Sequence, residues 1–454
     1  MTDTMAGTTG PARIAVSGRS TIAVLTALLR EPLSALPPEA FEAPLVEERV
    51  AGRRRLHVLD PALIQEALVR HADDLVKTDD IRRVLGPALG EGLLTAEGAH
   101  WRWQRRGVAP AFAPARRGAF LPAMLAAAEA AAARWAALGD GATVDIGHET
   151  TVTTFDIIVS TMLSGGAGLD VGRVERSVVD YLAPTGWVFA LGLLGLPSWT
   201  PHPGRRRAAA ARDFFRRAMR EAVARRRAAP EGDDLVSLLI GSADPETGRR
   251  MGDDELADNI ATFMAAGHET TANGLAWTFH LLSRHPEVEA RLVAEVRRVA
   301  GDGPLAPEHV ERLSYTRAVF DEAMRLYPPA PLIARRAVRP FALGPARIEA
   351  DTVLVVPIYA LHRHRALWDA PERFDPDRFS PERARTRHRY AFMPFGAGPR
   401  VCIGSGFATL EATAILAVLL RRFRLEAVDP RDPPPTMRVT LRPARPIRLR
   451  LRPR

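Results

Sequence analysis

Cysteine is almost absent from this chain, since Cys402 is the only one in 454 residues. A single thiol excludes any disulfide within the chain and is typical of a reducing cytoplasm. The early apolar run at 22–29 contains a threonine and stops at Arg30, far short of the ~20 residues that a membrane helix needs. That run also lacks the small-residue cleavage site of a secretory signal. We therefore expect a soluble, cytoplasmic protein without a membrane anchor.

Lysine is equally scarce, because Lys77 is the only one, so the net charge of +9 comes from arginine. Arginine runs at 53–55, 205–207 and 225–227 could indicate nucleic-acid binding. The runs are scattered and have no aromatic residues between them, so solvated faces are the better interpretation. We expect no nucleic-acid partner, and an acidic protein partner stays open as a use for the charge.

Linkers are also missing, as no Gly/Ser-rich or long Pro-rich stretch divides the chain. A length of 454 residues would on average suggest about three domains, yet the composition is that of a globular protein with a substantial core, 46% hydrophobic and 25% charged. We predict an N-terminal segment at 1–45, whose first dozen residues form a mobile tail. One mostly helical catalytic domain, expected to be monomeric, follows at 46–454.

The lone cysteine lies in the stretch 395–404, which reads FGAGPRVCIG. Its glycines and proline let the backbone turn tightly, and backbone N–H groups so placed can hydrogen-bond a sulfur and favour the thiolate. Arg400 adds a positive charge two residues away. The alternative is a small buried apolar residue, which is the usual fate of a free cysteine.

This stretch resembles the haem-binding loop of the cytochrome P450 family, F-x-x-G-x-R-x-C-x-G, with every fixed position filled. The resemblance implies a mainly α fold with small β-sheets and a long central helix over the haem. It also implies that haem b, iron protoporphyrin IX, is the cofactor and that Cys402 is the axial ligand of its iron. A thiolate ligand favours O–O bond cleavage by donating electron density. Four neighbours in the loop are implied to contact the haem: Phe395, Gly396, Arg400 and Gly404.

A helix is predicted from Asp253 to about Arg284, where His285-Pro286 ends it. Some 32 residues at ~1.5 Å each give a rod of roughly 48 Å. Thr270 can bond back to the carbonyl of Ala266 or Gly267, and a local bulge is expected there. A long core helix with satisfied threonines is the alternative.

The segment AGHETT at 266–271 matches the P450 family's oxygen-binding pattern. The resemblance places Ala266 and Gly267 beside the haem. It makes Thr270 and Glu269 the catalytic residues, which deliver protons to the oxygen.

Trp101 and Arg105 are four apart and share one helical face, where an indole N–H beside a guanidinium can clamp a carboxylate. A surface helix with an aromatic anchor is the alternative. By resemblance, the pair grips a haem propionate and Arg336 holds a propionate too, with Arg335 as the other candidate. Arg102 and Arg106 are then expected to face solvent and to steer an acidic redox protein.

Glu322 and Arg325 are three apart in a helix, which alone indicates a surface pair worth ~0.2–0.5 kcal/mol. The family carries E-x-x-R followed by P-E-R-F, here at 371–374. The resemblance therefore implies a buried structural network of Glu322, Arg325 and Arg373. Five such motifs occur in the family's order between residues 101 and 404.

The implied activity is that of a monooxygenase, which inserts one oxygen atom by hydroxylation or epoxidation into a hydrophobic small molecule, such as a fatty acid or terpenoid. Its electrons would come from a ferredoxin or flavodoxin with an NAD(P)H-dependent reductase. A peroxide-driven peroxygenase and a non-enzymatic haem sensor or carrier are the two alternatives. Segments 78–95, read as irregular, and 186–203 are expected to cover the substrate pocket, and the sequence does not identify the substrate.

Overall fold

A computed structural model describes residues 14–163, 170–228 and 234–454. The predicted mobile tail lies outside these residues. The α-helices, in chain order, are α1 Thr21–Arg30, α2 Pro61–Gln65, α3 Asp79–Leu89, α4 Gly98–Val108, α5 Pro114–Arg117, α6 Leu121–Leu138, α7 Ile146–Leu163, α8 Val171–Leu182, α9 Thr185–Leu193, α10 Arg205–Ala228, α11 Leu235–Gly241, α12 Asp253–Arg284, α13 Pro286–Ala300, α14 Pro307–Glu311, α15 Ser314–Leu326, α16 Ile358–Leu361, α17 Pro381–Thr386 and α18 Ser405–Arg422. The strands are β1 Ile14–Val16, β2 Leu45–Val50, β3 Arg53–Val58, β4 Leu75–Lys77, β5 Thr143–Asp145, β6 Ile333–Ala337, β7 Phe341–Leu343, β8 Ala346–Ile348, β9 Val353–Val356, β10 Phe423–Ala427, β11 Pro435–Met437, β12 Leu441–Pro443 and β13 Arg448–Pro453. The predicted fold class, mainly α with small sheets, is confirmed.

The described residues form two compact units, and the smaller comprises 14–78, Leu332–Glu372 and His388–Val401. Its six-stranded sheet has the order β1-β2-β3-β9-β6-β4. β2 and β3 are antiparallel and joined by Ala51-Gly52, both with positive φ, the two-residue turn whose twist suits a hairpin. The pair Asp60-Pro61 predicts a helix start, and Asp60 does cap α2 by accepting from the amides of Ala62 and Leu63.

The larger unit comprises the described parts of Asp79–Pro331, Arg373–Arg387 and Cys402–Arg454. Its longest helix, α12, has the predicted bounds. Three acidic residues occupy its first turn, and the Glu255 carboxylate accepts from the Gly252 amide at 2.9 Å, which stabilises the positive end of the helix dipole. Pro286 then starts α13. Most of α12 is buried, with its core contacts coming from helices such as α7, α10 and α15.

Local predictions outside the motifs were less accurate. The segment 78–95 is not irregular throughout, because α3 occupies most of it, and α9 occupies the first half of 186–203. The alternating apolar residues at 437–441 and 447–451 predict a hairpin, but the two segments do not pair with each other: β12 pairs with β11, whereas β13 pairs with β10 and β5. The sequence also predicts a strand pair at 347–349 and 353–357, and this pairing is wrong, since β8 pairs with β7 and β9 pairs with β3 and β6. Alternating apolar residues reveal a strand but not its partner.

Candidate active site

Cys402 lies three residues before α18, in the larger unit, and its side chain is exposed. Burial nevertheless raises the pKa of the thiol, while a hydrogen bond from the Gly404 amide and the charge of Arg105 oppose that rise. Exposure and desolvation occur together when a side chain faces an internal space instead of the outer surface. The Gly404 amide therefore lowers the pKa of the thiol. Arg105 acts on the thiol as well, an effect that sequence spacing could not reveal.

Helix α4 carries Trp101 and Arg105 on one face. Trp101 is buried and Arg105 is half-buried, and burial lowers the pKa of the guanidinium. No carboxylate within the described residues pairs with Arg105. A half-buried cation without an acid partner fits an anionic ligand group, such as the carboxylate of a propionate.

The middle of α12 presents a narrow accessible stripe. Ala266 is exposed, and Glu269, Thr270 and Asn273 are partly exposed, although the helix is buried on either side of them. Positions i, i+3, i+4 and i+7 share one face of a helix. The stripe thus gives a carboxyl and a hydroxyl access to a space beside an otherwise buried helix.

Thr270 Oγ1 donates to the carbonyl of Ala266 at 2.7 Å, which is one of the two predicted bonds. The expected bulge is absent, because α12 is continuous through this region. Gly267 lies close to α7, since a Cβ there would lie 2.4 Å from Ile158 Cδ1. The glycine therefore allows α12 to approach α7, and its predicted contact with the haem stays a prediction.

Glu269 is held by a residue that sequence reasoning missed. The Thr440 hydroxyl, between β11 and β12, donates to Glu269 Oε1 at 2.5 Å. Asn273 Nδ2 donates to Thr440 Oγ1 at 3.4 Å. Glu269, the candidate proton donor, is thus hydrogen-bonded to the turn between β11 and β12. No sequence motif marks Thr440.

Glu322 and Arg325 form a fully buried pair, each 0% exposed. Arg325 Nε donates to Glu322 Oε2 at 2.7 Å, and Nη2 donates to Oε1 at 2.8 Å. The Asp375 amide also donates to Oε1, at 2.9 Å. This two-point contact agrees with the predicted structural role.

The third arginine of this network is not the predicted one. The Arg373 side chain is 67% exposed and pairs with Asp375 at 2.8 Å, and only its backbone carbonyl accepts from Arg325, at 3.0 Å. Arg378 takes the buried place, with Nε 3.3 Å from Glu322 Oε1. The pattern P-x-R-F occurs twice, at 371–374 and at 376–379, and the second copy carries the buried arginine.

Comparison with known proteins decides the family. A model of the cytochrome P450 family matches residues 40–451. The chain belongs to this family. Cyclooctatin synthase of Streptomyces melanosporofaciens is 34% identical over 92% of both chains, and pentalenene oxygenase of Streptomyces avermitilis is 32% identical over 93% of both. A crystal structure of the cytochrome P450DA heme domain matches with a TM-score of 0.85, at 28% identity over 98% of each chain.

The cytochrome P450 assignment makes this chain a monooxygenase with the haem-thiolate cofactor of that family. Among the residues that the structure describes, none forms a helix long and apolar enough to cross a membrane.

Four predicted haem contacts of this P450 lie in the smaller unit: Phe395, Gly396, Arg400 and Arg336. Gly396 has a φ of +76°, as a tight turn requires. Gly398, at φ +68°, passes so close to Leu68 that a Cβ would be 2.1 Å from its carbonyl oxygen, so no other residue fits there. Arg336 lies on β6 and binds Asp351 at 2.8 Å, while its buried Nε has no partner within the described chain.

The prediction that Arg106 faces solvent is wrong. Arg106 does not face solvent freely: its Nε and Nη2 bind the buried Asp244 at 2.8 and 3.0 Å, and Glu246 lies 3.2 Å away. The hydrogen bond from Arg106 holds the pKa of the Asp244 carboxyl well below its usual range. Arg102 is exposed, as predicted.

A second fully buried glutamate escaped sequence reasoning. Glu411 on α18 is 0% exposed, and neither carboxyl oxygen has a partner of good hydrogen-bond geometry within the described chain. Burial raises the pKa of Glu411 well above its usual value, and only the hydroxyl of Thr271 on α12 opposes the rise. Burial without a charged partner favours the protonated form of this carboxyl.

Proposed function

We propose that this P450 oxidises a hydrophobic cyclic substrate of the terpenoid class, using haem b and electrons from a separate acidic redox protein. The observation that carries the proposal is the accessible stripe of α12, which offers a carboxyl and a hydroxyl to a space within a buried part of the larger unit. Two relatives whose names refer to cyclooctatin and pentalenene support the substrate class.

The residues of the larger unit suit a haem. Cys402 supplies an accessible thiol near one amide and one guanidinium, which together favour its ionised form. Arg105, with Trp101 beside it, would hold a propionate. When bound, the haem activates dioxygen, and the cysteine ligand sets its electronic character. For Arg336, Arg400, Phe395 and Gly396 the haem contact stays a prediction from the motifs.

Proton supply would fall to Glu269 and Thr270. The Thr270 hydroxyl gives its own hydrogen to the Ala266 carbonyl, so its oxygen is left to accept a hydrogen bond on the accessible stripe. Glu269 is positioned through Oε1 by Thr440, which leaves Oε2 to take up and release the proton. Thr270→Ala should therefore divert reducing equivalents to hydrogen peroxide while haem content is kept.

A matched control exists on the same helix. Thr278 Oγ1 donates to the Gly274 carbonyl at 2.7 Å, so it makes the same back-bond, but Thr278 is fully buried. Thr278→Ala removes an equivalent hydrogen bond without touching the stripe. Product formed per NAD(P)H should fall in Thr270→Ala and stay at the parental value in Thr278→Ala. Equal coupling in both variants would contradict a proton-supply role for Thr270.

The redox partner is expected to meet the basic side of the protein near α4. The net charge is +9, and the exposed Arg102 lies on the helix that also carries Arg105. Charge reversal at Arg102 should slow reduction by an acidic ferredoxin at low salt, because rim charges act on association rate. Arg217→Glu on α10 is the control, and equal rates for the two variants across a salt series would remove Arg102 from the docking face.

Two measurements test the whole proposal. Haem-loaded protein is screened for substrate-induced spectral shifts with cyclic terpenes and with fatty acids, and each hit is assayed with NAD(P)H and a reductase system or with hydrogen peroxide alone. Terpene shifts with reductase-dependent product are expected. Faster turnover with peroxide would favour the peroxygenase alternative, and ligand binding without any product would favour a sensor. Cys402→Ser, which should lose the thiolate spectrum of the carbon-monoxide complex, is the control for cofactor attachment.

A further inference from the structure

The loop between α3 and α4 is held against α12 by two side chains of that helix. The Glu91 amide donates to Asp258 Oδ2 at 2.9 Å, and the Leu93 amide donates to Asn259 Oδ1 at 3.0 Å. Because these bonds join side chains of the helix to the backbone of the loop, they fix where the loop lies along α12. We call residues 90–96 the wall loop.

The wall loop covers the face of α12 that becomes the accessible stripe further along the helix. Asn259, Thr262 and Ala266 are three and four residues apart, so they lie on one face. Asn259 and Thr262 are buried, and a Cβ at Gly92 would lie 2.3 Å from Thr262 Oγ1. Ala266 is exposed. Accessible space on this face of the helix therefore begins where the wall loop ends.

A buried pair of amide side chains also joins the wall loop to α4. Gln104 on α4 and Asn259 on α12 are both 0% exposed. Asn259 Nδ2 donates to Gln104 Oε1 at 2.8 Å, and Gln104 Nε2 donates to the Glu91 carbonyl at 2.6 Å. We call this pair the amide bridge. Through it the wall loop, the helix of the accessible stripe and the helix of Arg105 are fixed to one another.

Backbone groups determine which end of each amide is the donor. Asn259 Oδ1 must accept, because it faces the Leu93 amide, so its Nδ2 turns to Gln104. Gln104 Oε1 is then the acceptor, and its Nε2 donates to the Glu91 carbonyl and to His100 Nε2, at 2.6 Å each. His100 Nε2 therefore accepts. A buried bridge with its polarity fixed in this way is broken by any group of the wrong polarity.

We propose that Gln104 and Asn259 are positioning residues of this monooxygenase. The amide bridge holds the wall loop on α12 and thereby keeps water out of the space beside the accessible stripe. Excluding water from a reacting centre prevents side reactions such as the leakage of protons. Both residues are buried, so they act through the wall loop. The proposal does not rest on the terpenoid class of the substrate.

A merely structural role is the competing explanation, because a satisfied buried network also stabilises a fold. The two roles differ in where a break is felt. Loss of a structural support lowers the stability of the whole larger unit, whereas loss of a positioning support opens one loop and leaves the helices closed. Exchange of backbone amides and entry of a small ligand distinguish these two outcomes.

Asn259→Asp tests the bridge, since it keeps an acceptor for the Leu93 amide but replaces the donor to Gln104 by a second acceptor. In haem-loaded protein, hydrogen–deuterium exchange of peptides covering 90–96 should become about fivefold faster, as expected for one lost buried hydrogen bond. Imidazole should reach the haem iron about threefold faster in stopped flow, because the wall is open more often. Peptides of α13 should exchange as in the parent.

His100 offers a matched pair of substitutions at one position. His100→Gln places an amide oxygen near the point where Nε2 accepts, so this variant should exchange and bind imidazole like the parent. His100→Lys offers donors alone and should resemble Asn259→Asp. If both variants opened the wall loop equally, the polarity of the bridge would be irrelevant and the proposal would be overturned.

Thr161→Ala is the control for stability. It removes a buried hydrogen bond within α7, from Thr161 Oγ1 to the Ile157 carbonyl at 2.7 Å. This variant should unfold at a lower urea concentration and bind imidazole at the parental rate. Hydrogen peroxide formed per NAD(P)H, measured with the substrate found in the spectral screen, should rise in Asn259→Asp and His100→Lys but not in Thr161→Ala.

Three results would overturn the proposal: parental exchange of 90–96 in Asn259→Asp, faster exchange with parental imidazole binding, or equal peroxide formation in all variants. The second result would make the amide bridge structural only. The first two measurements need no substrate. A terpene screen without hits would therefore contradict the proposed substrate class, while exchange and imidazole binding would still decide the role of the bridge.

Discussion

Glu322 and Glu411 are both completely buried in the larger unit, yet their surroundings are opposite. Glu322 faces two arginines and a backbone amide, and Glu411 faces one threonine hydroxyl. Burial raises the pKa of both carboxyls. For Glu322 the hydrogen bonds and charge of Arg325 oppose the rise, whereas nothing charged opposes it for Glu411.

The difference teaches that burial alone does not determine the charge of a carboxyl. Glu322 is stable as an ion only while Arg325 is present, so the pair must be kept or lost together. For Glu411, which has no charged partner, the protonated form avoids the cost of burying an unpaired charge. Glu322 fixes two segments of chain through charge, whereas Glu411 lies where α18 packs near α12 and has no charged partner.

The largest effect is expected from breaking the charged pair. Glu322→Ala leaves Arg325 buried without its carboxylate, which typically costs ~3–5 kcal/mol. The variant should unfold at a much lower urea concentration and fail to incorporate haem. Arg378→Ala should also be strongly destabilising, because Arg378 is buried against the same carboxylate. A variant of Glu322 with parental stability would mean that the pair contributes nothing.

The second-largest effect on stability is expected from Glu411→Gln. At high pH this substitution should stabilise the protein, whereas Glu322→Ala destabilises it. Because folding raises the pKa of Glu411, the folded state binds the proton more tightly than the unfolded chain. Stability is therefore fully present below the ordinary glutamate pKa and falls as pH rises above it, by up to ~1.4 kcal/mol per pH unit for one proton. Glutamine at position 411 should remove this pH-dependent loss of stability, because its side chain does not ionise.

Urea unfolding of the parent and of Glu411→Gln across pH 4.5–8 measures this difference. The two curves should agree at the acidic end, and the glutamine variant should become the more stable one as pH rises. Parallel curves would show that Glu411 is ionised in the folded protein and that the contrast with Glu322 does not hold.

A smaller change at Thr271 sharpens the comparison. Thr271→Val removes the one side chain that opposes the pKa rise of Glu411, at a cost of ~1–3 kcal/mol if a carboxyl hydrogen bond is lost. The pH-dependent fall in stability should then extend to higher pH. In a Glu411→Gln background the same substitution should not alter the pH dependence, and a double-mutant cycle measures the coupling.

The smallest effect is expected at Arg373. Its side chain is mostly exposed and bonded only to Asp375, and exposed pairs contribute ~0–1 kcal/mol. Arg373→Ala should therefore retain haem and unfold close to the parental urea midpoint. If it were as unstable as Arg378→Ala, the choice of Arg378 as the buried arginine would be wrong.

The elements that sequence predicted well are those with local chemical signals. α12 has acidic residues at its start and a proline just beyond its end, so both of its bounds were predictable. The E-x-x-R pair was predictable because its residues are one turn apart. The glycine at position 398 also reflects a local requirement, since its left-handed φ favours glycine.

What sequence could not predict depends on partners that are distant in the chain. Two copies of P-x-R-F compete for one buried carboxylate, and only tertiary packing selects Arg378. Thr440 reaches Glu269 across 171 positions. In the sequence, Glu411 is one polar residue in a predicted helix. That no charged group lies near its carboxyl is a property of the folded protein, so the sequence could not reveal it.

The single cysteine has a practical consequence. Because Cys402 is the only thiol and its side chain is exposed, a thiol-selective alkylating reagent that enters the protein can modify one sulfur alone. A bound cofactor would shield that sulfur, so the fraction of molecules that react with iodoacetamide would count those that lack haem. Mass spectrometry of the intact chain could then follow cofactor loading in a cell extract without purification, isotopic label or enzymatic assay.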